Sequence, residues 1–244
     1  MLPLDYALRN LLRQPGRCLQ LILGSALVVV LVSAAESFGT GMQESLGATG
    51  DPANVIILGA GSEESVERSE VDLQVEGIIA ASIAGLAEEQ GRPAVSGEVV
   101  FNTFVHVDDE RVPAILRGVT PAALAVHRRL RLVEGHFPGP DEILVGAQAH
   151  RVLGVAPERL AVGQTLHFEG HDYRISGRAI APGTVLESEC WIDRSDLMAA
   201  TGRDGISCVI ARLDSATPSD IELFAAMRQD LEIVAIDAAT YYQR

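Results

Sequence analysis

One uncharged stretch near the start constrains this chain more than anything else in it. Residues 18–35, CLQLILGSALVVVLVSAA, carry no charge, and ten of the 18 are Leu, Ile or Val: Leu19, Leu21, Ile22, Leu23, Leu27, Val28, Val29, Val30, Leu31 and Val32. At about 1.5 Å per residue a helix of this length spans about 27 Å, against a hydrocarbon core of about 30 Å. Ten such residues contribute about −3 to −6 kcal/mol on insertion scales, partly offset by Gln20, Ser25 and Ser33. The segment is just long enough to cross a bilayer, and Ser37 and Phe38 can extend it. A cleaved signal peptide is a second reading, because Ser33-Ala34-Ala35 fits a small-x-small site. Against it, the charged region ahead of the apolar core is 17 residues long and itself reads as structured. A buried soluble helix is the third reading, and one apolar all round needs a large surrounding core. A retained anchor fits best.

Charge then sets orientation. Arg9, Arg13 and Arg17 precede the run, and no basic residue follows until Arg68. The positive-inside rule places the N-terminus in the cytoplasm and the main body outside. Leu4, Ala7, Leu8, Leu11 and Leu12 form a helical apolar stripe suited to the inner membrane surface, ended by Pro15-Gly16. The net charge is −14, and since residues 1–35 carry +2, the remainder carries −16. Such a body repels phosphate backbones, so nucleic acid is excluded as a partner. The expected organisation is a cytoplasmic amphipathic segment (1–17), a transmembrane helix (18–36), a stalk (37–50) and an extracytoplasmic domain (51–244).

Beyond the stalk the pattern alternates. NVIIL (54–58) reads as a buried strand and GAGSEESVERSEVD as a polar loop. Ser69 and Asp72 resemble an N-cap pair opening an amphipathic helix through Val71, Val75, Ile78, Ile79 and Leu86 to about Glu89. VVFNTFVHV and VPAILRGV flank DDER as a hairpin; QTLHFEGHDYRISGRAI makes a second about Glu169-Gly170. EILVG, SECWID, ISCVIARL and LEIVAI read as strands. TPAALAVH, AQAHRVLG, residues 195–200 and residues 218–228 read as short helices. The expected fold class is α+β, with a mixed or antiparallel sheet in two lobes.

Sites for chemistry are scarce. Gly59-Ala60-Gly61 begins a dinucleotide fingerprint, but position 64 is Glu, and Glu63 and Glu64 would face a pyrophosphate with like charge. His167 and His171 bracket Glu169 beside Asp172, yet they flank a turn that exposes polar residues in any case. Glu187 and Glu189 fall on one face of a strand, with Cys190 on the other, and read as solvated edge acids. Arg128, Arg129 and Arg131 form the only dense basic spot, read as solvated surface or as a contact for an acidic partner. Cys190 and Cys208 sit in apolar stretches that can pair as strands. They read as small core residues, or as a disulfide in an oxidising compartment. No GxSxG or HExxH occurs. No catalytic, cofactor-binding or metal residue is therefore expected, and the outer body reads as a binding or force-transmitting module.

Four stretches, in order along the chain, carry a family resemblance. They are ALRNLLRQPGR with the apolar run; ATGDPANVIILGAGSEES; LRGVTPAAL with LRLVEGHFPGPDEILVGAQAHRVLG; and VGQTLHFEGHDYRISGRAIAPGTVLESECWIDRSDLMAATGR. Together the chain resembles the MacB/FtsX-like permeases of ABC transporters. The resemblance implies a first transmembrane helix, a periplasmic core domain, three further transmembrane helices and a dimer. It also implies a separate ATPase that binds ATP on the cytoplasmic side and drives shape change in the outer domain, which acts on cargo or an adaptor. This chain stops at DAATYYQR, about where a helix would lead to the second crossing. The expected role is thus a bacterial inner-membrane permease component, truncated or split, that needs the missing half to meet its ATPase. The alternatives are a secreted or single-pass solute-binding or adaptor module without an ATPase, and, last, an exported hydrolase.

Overall fold

The computed structural model describes residues 15–243, so the amphipathic segment over 4–12, Arg9 and Arg13 lie outside the described residues. The chain divides into two compact units, one ending at Glu44 and the other beginning at Ser45. Helix α1 (Pro15–Thr49) has Pro15 as its first residue, where the missing N–H costs nothing. Leu19, Leu21, Ile22, Leu23, Leu27 and Val28 through Val32 are all more than half exposed along it, and Arg17 is exposed in its first turn. Among the described residues α1 is the helix long and apolar enough to cross a membrane. Such a surface is stable in lipid and a liability in water.

The second unit is built on one mixed sheet. Its strands are β1 (Asn54–Gly59), β4 (Val95–Val107), β5 (Glu110–Val119), β6 (Arg131–Gly135), β7 (Glu142–Gly146), β8 (Thr165–Phe168), β9 (His171–Ile180), β10 (Cys190–Asp193), β11 (Cys208–Arg212) and β12 (Ile233–Asp237). The order is β12-β1-β11-β4-β5-β10-β7-β9-β6, with β8 bridging β4 and β9. The pairings β4-β5, β5-β10, β10-β7, β7-β9, β9-β8 and β8-β4 close a ring of six strands. Two of these contacts, β5-β10 and β7-β9, are parallel; the rest are antiparallel. The 13-residue β4 is the hinge of the design. Its residues 95–98 pair with β11 in a flanking sheet, and residues 99–107 pair with β5 in the ring. The two lobes expected from sequence thus share a strand within one compact unit.

Alternation along the strands sorts the core. Val99, Val105, Val107, Val112, Ala114, Leu116, Cys190 and Ile192 face one cluster, with Leu153, Leu166, Tyr173 and Ile175. The opposite face carries Leu144, Val119 and Trp191 on one side and Ile56, Leu58, Cys208 and Ile210 on the other. Short helices cover both: α2 (Gln74–Ser82), α3 (Ala123–Val126), α4 (Ala149–Leu153), α5 (Arg194–Thr201), α6 (Pro218–Met227) and α7 (Ala238–Tyr242). Asp193 caps α5 by accepting from the Ser195 N–H, and Gly154 and Gly202 end α4 and α5 in the left-handed region.

Several local expectations are corrected. Ser69 is not a helix cap: it is fully buried, and its hydroxyl accepts from the Gly59 N–H at 2.9 Å. Val71 bridges Ile206 instead of starting the helix. The helix is α2 alone, because Gly85 turns the chain with φ +82° and Leu86 bridges Leu213. Glu88–Glu89 (β2) then pairs with Arg92–Pro93 (β3) across Gln90-Gly91. Strand β6, hidden in the basic spot, was not expected. Cys190 and Cys208 are both free and buried. Their strands do not pair: β4 and β5 lie between them, three steps of about 4.8 Å and too far for a disulfide.

Two glycine substitutions test this packing by thermal unfolding. A Cβ on Gly146 would sit 2.3 Å from the Glu187 carbonyl oxygen, so Gly146→Ala is expected to destabilise by about 1–3 kcal/mol. Gly77 lies exposed in α2 with open space around it, and Gly77→Ala is expected to stabilise by up to about 1 kcal/mol.

Candidate functional site

The unusual chemistry of this domain is inside it. Arg117 on β5 lies opposite Val100 on β4 and Trp191 on β10. Glu98 and Glu189, each two residues before one of those neighbours, are therefore its diagonal neighbours on the same face. Arg117 donates from Nε and Nη2 to the two oxygens of Glu189 at 2.6 and 2.7 Å, and from Nη1 to Glu98 Oε2 at 2.7 Å. The other oxygen of Glu98 meets His127 Nε2 at 2.8 Å, and Trp191 Nε1 donates to Glu189 at 3.2 Å. The His127 and Trp191 rings stack edge-on, centroids 5.3 Å apart. Glu98, Arg117, Glu189 and His127 expose 0, 3, 3 and 7% of their surface. Four ionisable groups are thus held in the interior by one another.

Their environment sets their ionisation. Burial pushes the Glu98 carboxyl up, but the charges and hydrogen bonds of His127 and Arg117 outweigh it and hold the group at about 2. Burial disfavours the charged Arg117 guanidinium, and the charge and hydrogen bonds of Glu189, with the charge of Glu98, overcome that, so it stays charged. The nearby thiols are inert: burial pushes Cys190 up to about 12 and Cys208 up as well.

The same region gathers the two ends of the unit. The Val185 N–H donates to Thr49 Oγ1 at 2.9 Å, and Gly50 lies so close to Ala238 that a Cβ would meet its carbonyl oxygen at 2.5 Å. Gln243 reaches the last turns of α1 at Gly47. Tyr241 of α7 accepts from the Val66 N–H at 2.8 Å. A water-sized cavity of about 10 Å³ lies between this junction and His127, lined by Thr49, Asp51, Asn54, Val126 and Thr184 among others. Asp51 pairs with Arg212 at 2.8 Å beside it.

Sequence reasoning placed Glu189 wrongly. It is not a solvated edge acid but an interior carboxylate, while Glu187 lies half-buried in the turn before β10. His167 pairs with Asp172 at 2.8 Å on the exposed second hairpin. Among the described residues no group of His, Cys, Asp and Glu could hold a metal. Arg128, Arg129 and Arg131 are exposed, and Arg128 meets Glu89 at 3.1 Å. Glu98, Arg117 and His127 were missed as a site. The available signal was a lone charge inside each of two apolar strands, VSGEVV and AILRGV.

Arg117→Met leaves the buried Glu189 carboxylate without a cationic partner and Glu98 with His127 alone, and is expected to destabilise by about 3–5 kcal/mol. Trp191, the only tryptophan, reports it by fluorescence during urea unfolding. The acid limb follows from Glu98. Its folded value lies below the ordinary carboxyl value of about 4.5, so its contribution is present above about 4.5 and is lost as pH falls toward about 2. Glu98→Gln is expected to remove that part of the slope while lowering stability at pH 5.

Comparison with known proteins agrees with this architecture. The sequence model of the MacB-like periplasmic core domain matches residues 19–226. The periplasmic region of MacB from Actinobacillus actinomycetemcomitans superposes with a TM-score of 0.57 at 13% identity, covering 83% of this chain and 96% of that one. The extracellular domain of the noncanonic ABC-type transporter YknZ from Gram-positive bacteria gives 0.55 at 14%, covering 75% and 99%. At these identities the structures speak for the fold. No curated protein matches the sequence. The family match shows that the chain belongs to the MacB-like periplasmic core domain family, and the superpositions agree with it in fold.

Proposed function

We propose that this chain is the membrane-anchored permease component of an ABC-type export or mechanotransmission system, and that its outer domain acts on cargo or an adaptor protein without catalysing a reaction. In this reading α1 crosses the bacterial inner membrane with its N-terminus in the cytoplasm. ATP is bound by a separate ATPase, reached through a further, separately encoded set of transmembrane helices, and the complex is a dimer. The observation that carries the reading is the meeting of Gly47–Gly50 with Ala238–Gln243 in the second unit. A domain whose first and last segments meet at one point can be driven by a small relative movement of those two segments. The buried network beside that point supports transmission: its charges come from β4, β5, the turn after α3 and the turn before β10, so those elements move together or break a costly set of bonds.

Two experiments test the reading. The full chain is expected to stay in the membrane fraction through alkaline extraction with its N-terminus intact. Val29→Arg, costing about 3 kcal/mol at mid-bilayer, is expected to shift it markedly to the soluble fraction. A mature chain that begins near Glu36 would favour the secreted module. Co-expressed with a neighbouring ATPase and the remaining transmembrane half, the chain is expected to co-purify with both; failure to do so would count against the proposed assembly.

A further inference from the structure

We propose that the buried quartet of Glu98, Arg117, Glu189 and His127 is a proton-operated latch, which holds the turn after α3 and helix α7 firmly on the sheet when His127 carries a proton and loosely when it does not. This goes beyond the transport reading and does not rest on it.

The argument is one of charge balance in a dry site. Glu98 and Glu189 bring two negative charges and Arg117 one positive, all buried. With neutral His127 the cluster keeps one uncompensated negative charge; a proton on His127 brings it to zero. Uncompensated charge is expensive where water is excluded, so the proton strengthens the fold. Imidazole is the side chain that exchanges a proton near neutrality. The groups around it agree. From the sheet it meets Glu98, with Arg117 and Glu189 beyond and Cys208 of β11 a buried neutral thiol. From α7 the phenol of Tyr242 stays neutral, its ionisation suppressed chiefly by burial. On the remaining side Asp51 is already paired with Arg212, while Arg128 and Arg129 of its own turn point to solvent.

The water-sized cavity touches His127 and is walled by Thr49, Asp51 and Thr184, polar partners for one water at the junction of the unit's two ends. The cluster therefore lies beside the place where residues 47–50 and 238–243 of this unit meet.

The test uses the full chain in phosphatidylcholine nanodiscs, with thermal unfolding and Trp191 emission read from pH 5.5 to 8.5. Wild type is expected to melt about 3 °C or more lower at pH 8.5, with Trp191 emission changing over the same range because its ring touches the imidazole. His127→Gln should flatten both profiles, and Glu98→Gln should flatten the melting profile, since without that carboxylate the cluster balances with His127 neutral. His167→Gln, on the surface, should leave both unchanged. A wild-type melting point equal at the two pH values would overturn the latch, as would a His127→Gln or Glu98→Gln variant that keeps the full difference. If one of these two variants fails to fold, the other decides.

Discussion

The fork between the Arg117 guanidinium and the Glu189 carboxylate is the contact on which the rest of the domain depends. It is bidentate, buried and shared with Glu98, so it fixes the relative register of three strands at once. A slip of one residue in β4, β5 or β10 would turn a charge toward the apolar side of the sheet. Hydrophobic burial supplies most of the folding free energy, but Val and Ile are interchangeable between registers in a way that three interlocked charges are not. The network therefore reads as a device for specificity. Its net contribution to stability is smaller than its bonds imply, because each ion lost its water first.

The network also explains how two sheets act as one body. Glu98 lies at the changeover on β4, the last residue paired with β11 before Val99 pairs with β5. Its carboxylate thus sits where the flanking sheet becomes the ring, and its partners come from both the ring and the cap formed by α3 and His127. Disturbance at this position reaches the flank, the ring and the helical cover together.

Much of this was legible in the sequence, and the failures have a common cause. The apolar helix, the β4-β5 and β8-β9 hairpins, the short helices ended by Gly154 and Gly202, and the strands NVIIL, EILVG and CWID follow from local periodicity and turn chemistry. The family resemblance rested on four ordered stretches, and the match over residues 19–226 agrees with it. What local patterns could not show was pairing across distance. Ser69 looks like a cap until Gly59 is brought against it, and Leu86 continues a helical stripe until Leu213 claims it. Glu189 reads as a surface acid because nothing nearby in sequence balances it; its partner is 72 residues away. The buried site was invisible for the same reason. An isolated charge in an apolar strand was the one clue, and it needed a second strand to become meaningful.

The closeness of Gly47 and Gln243 has a consequence for how such a unit is put together. A body whose two ends nearly touch asks very little of whatever carries it: both ends fit into a single turn between any two neighbouring rods. Close ends of this kind are what let a domain be inserted into a host scaffold with little disturbance of the host's own packing.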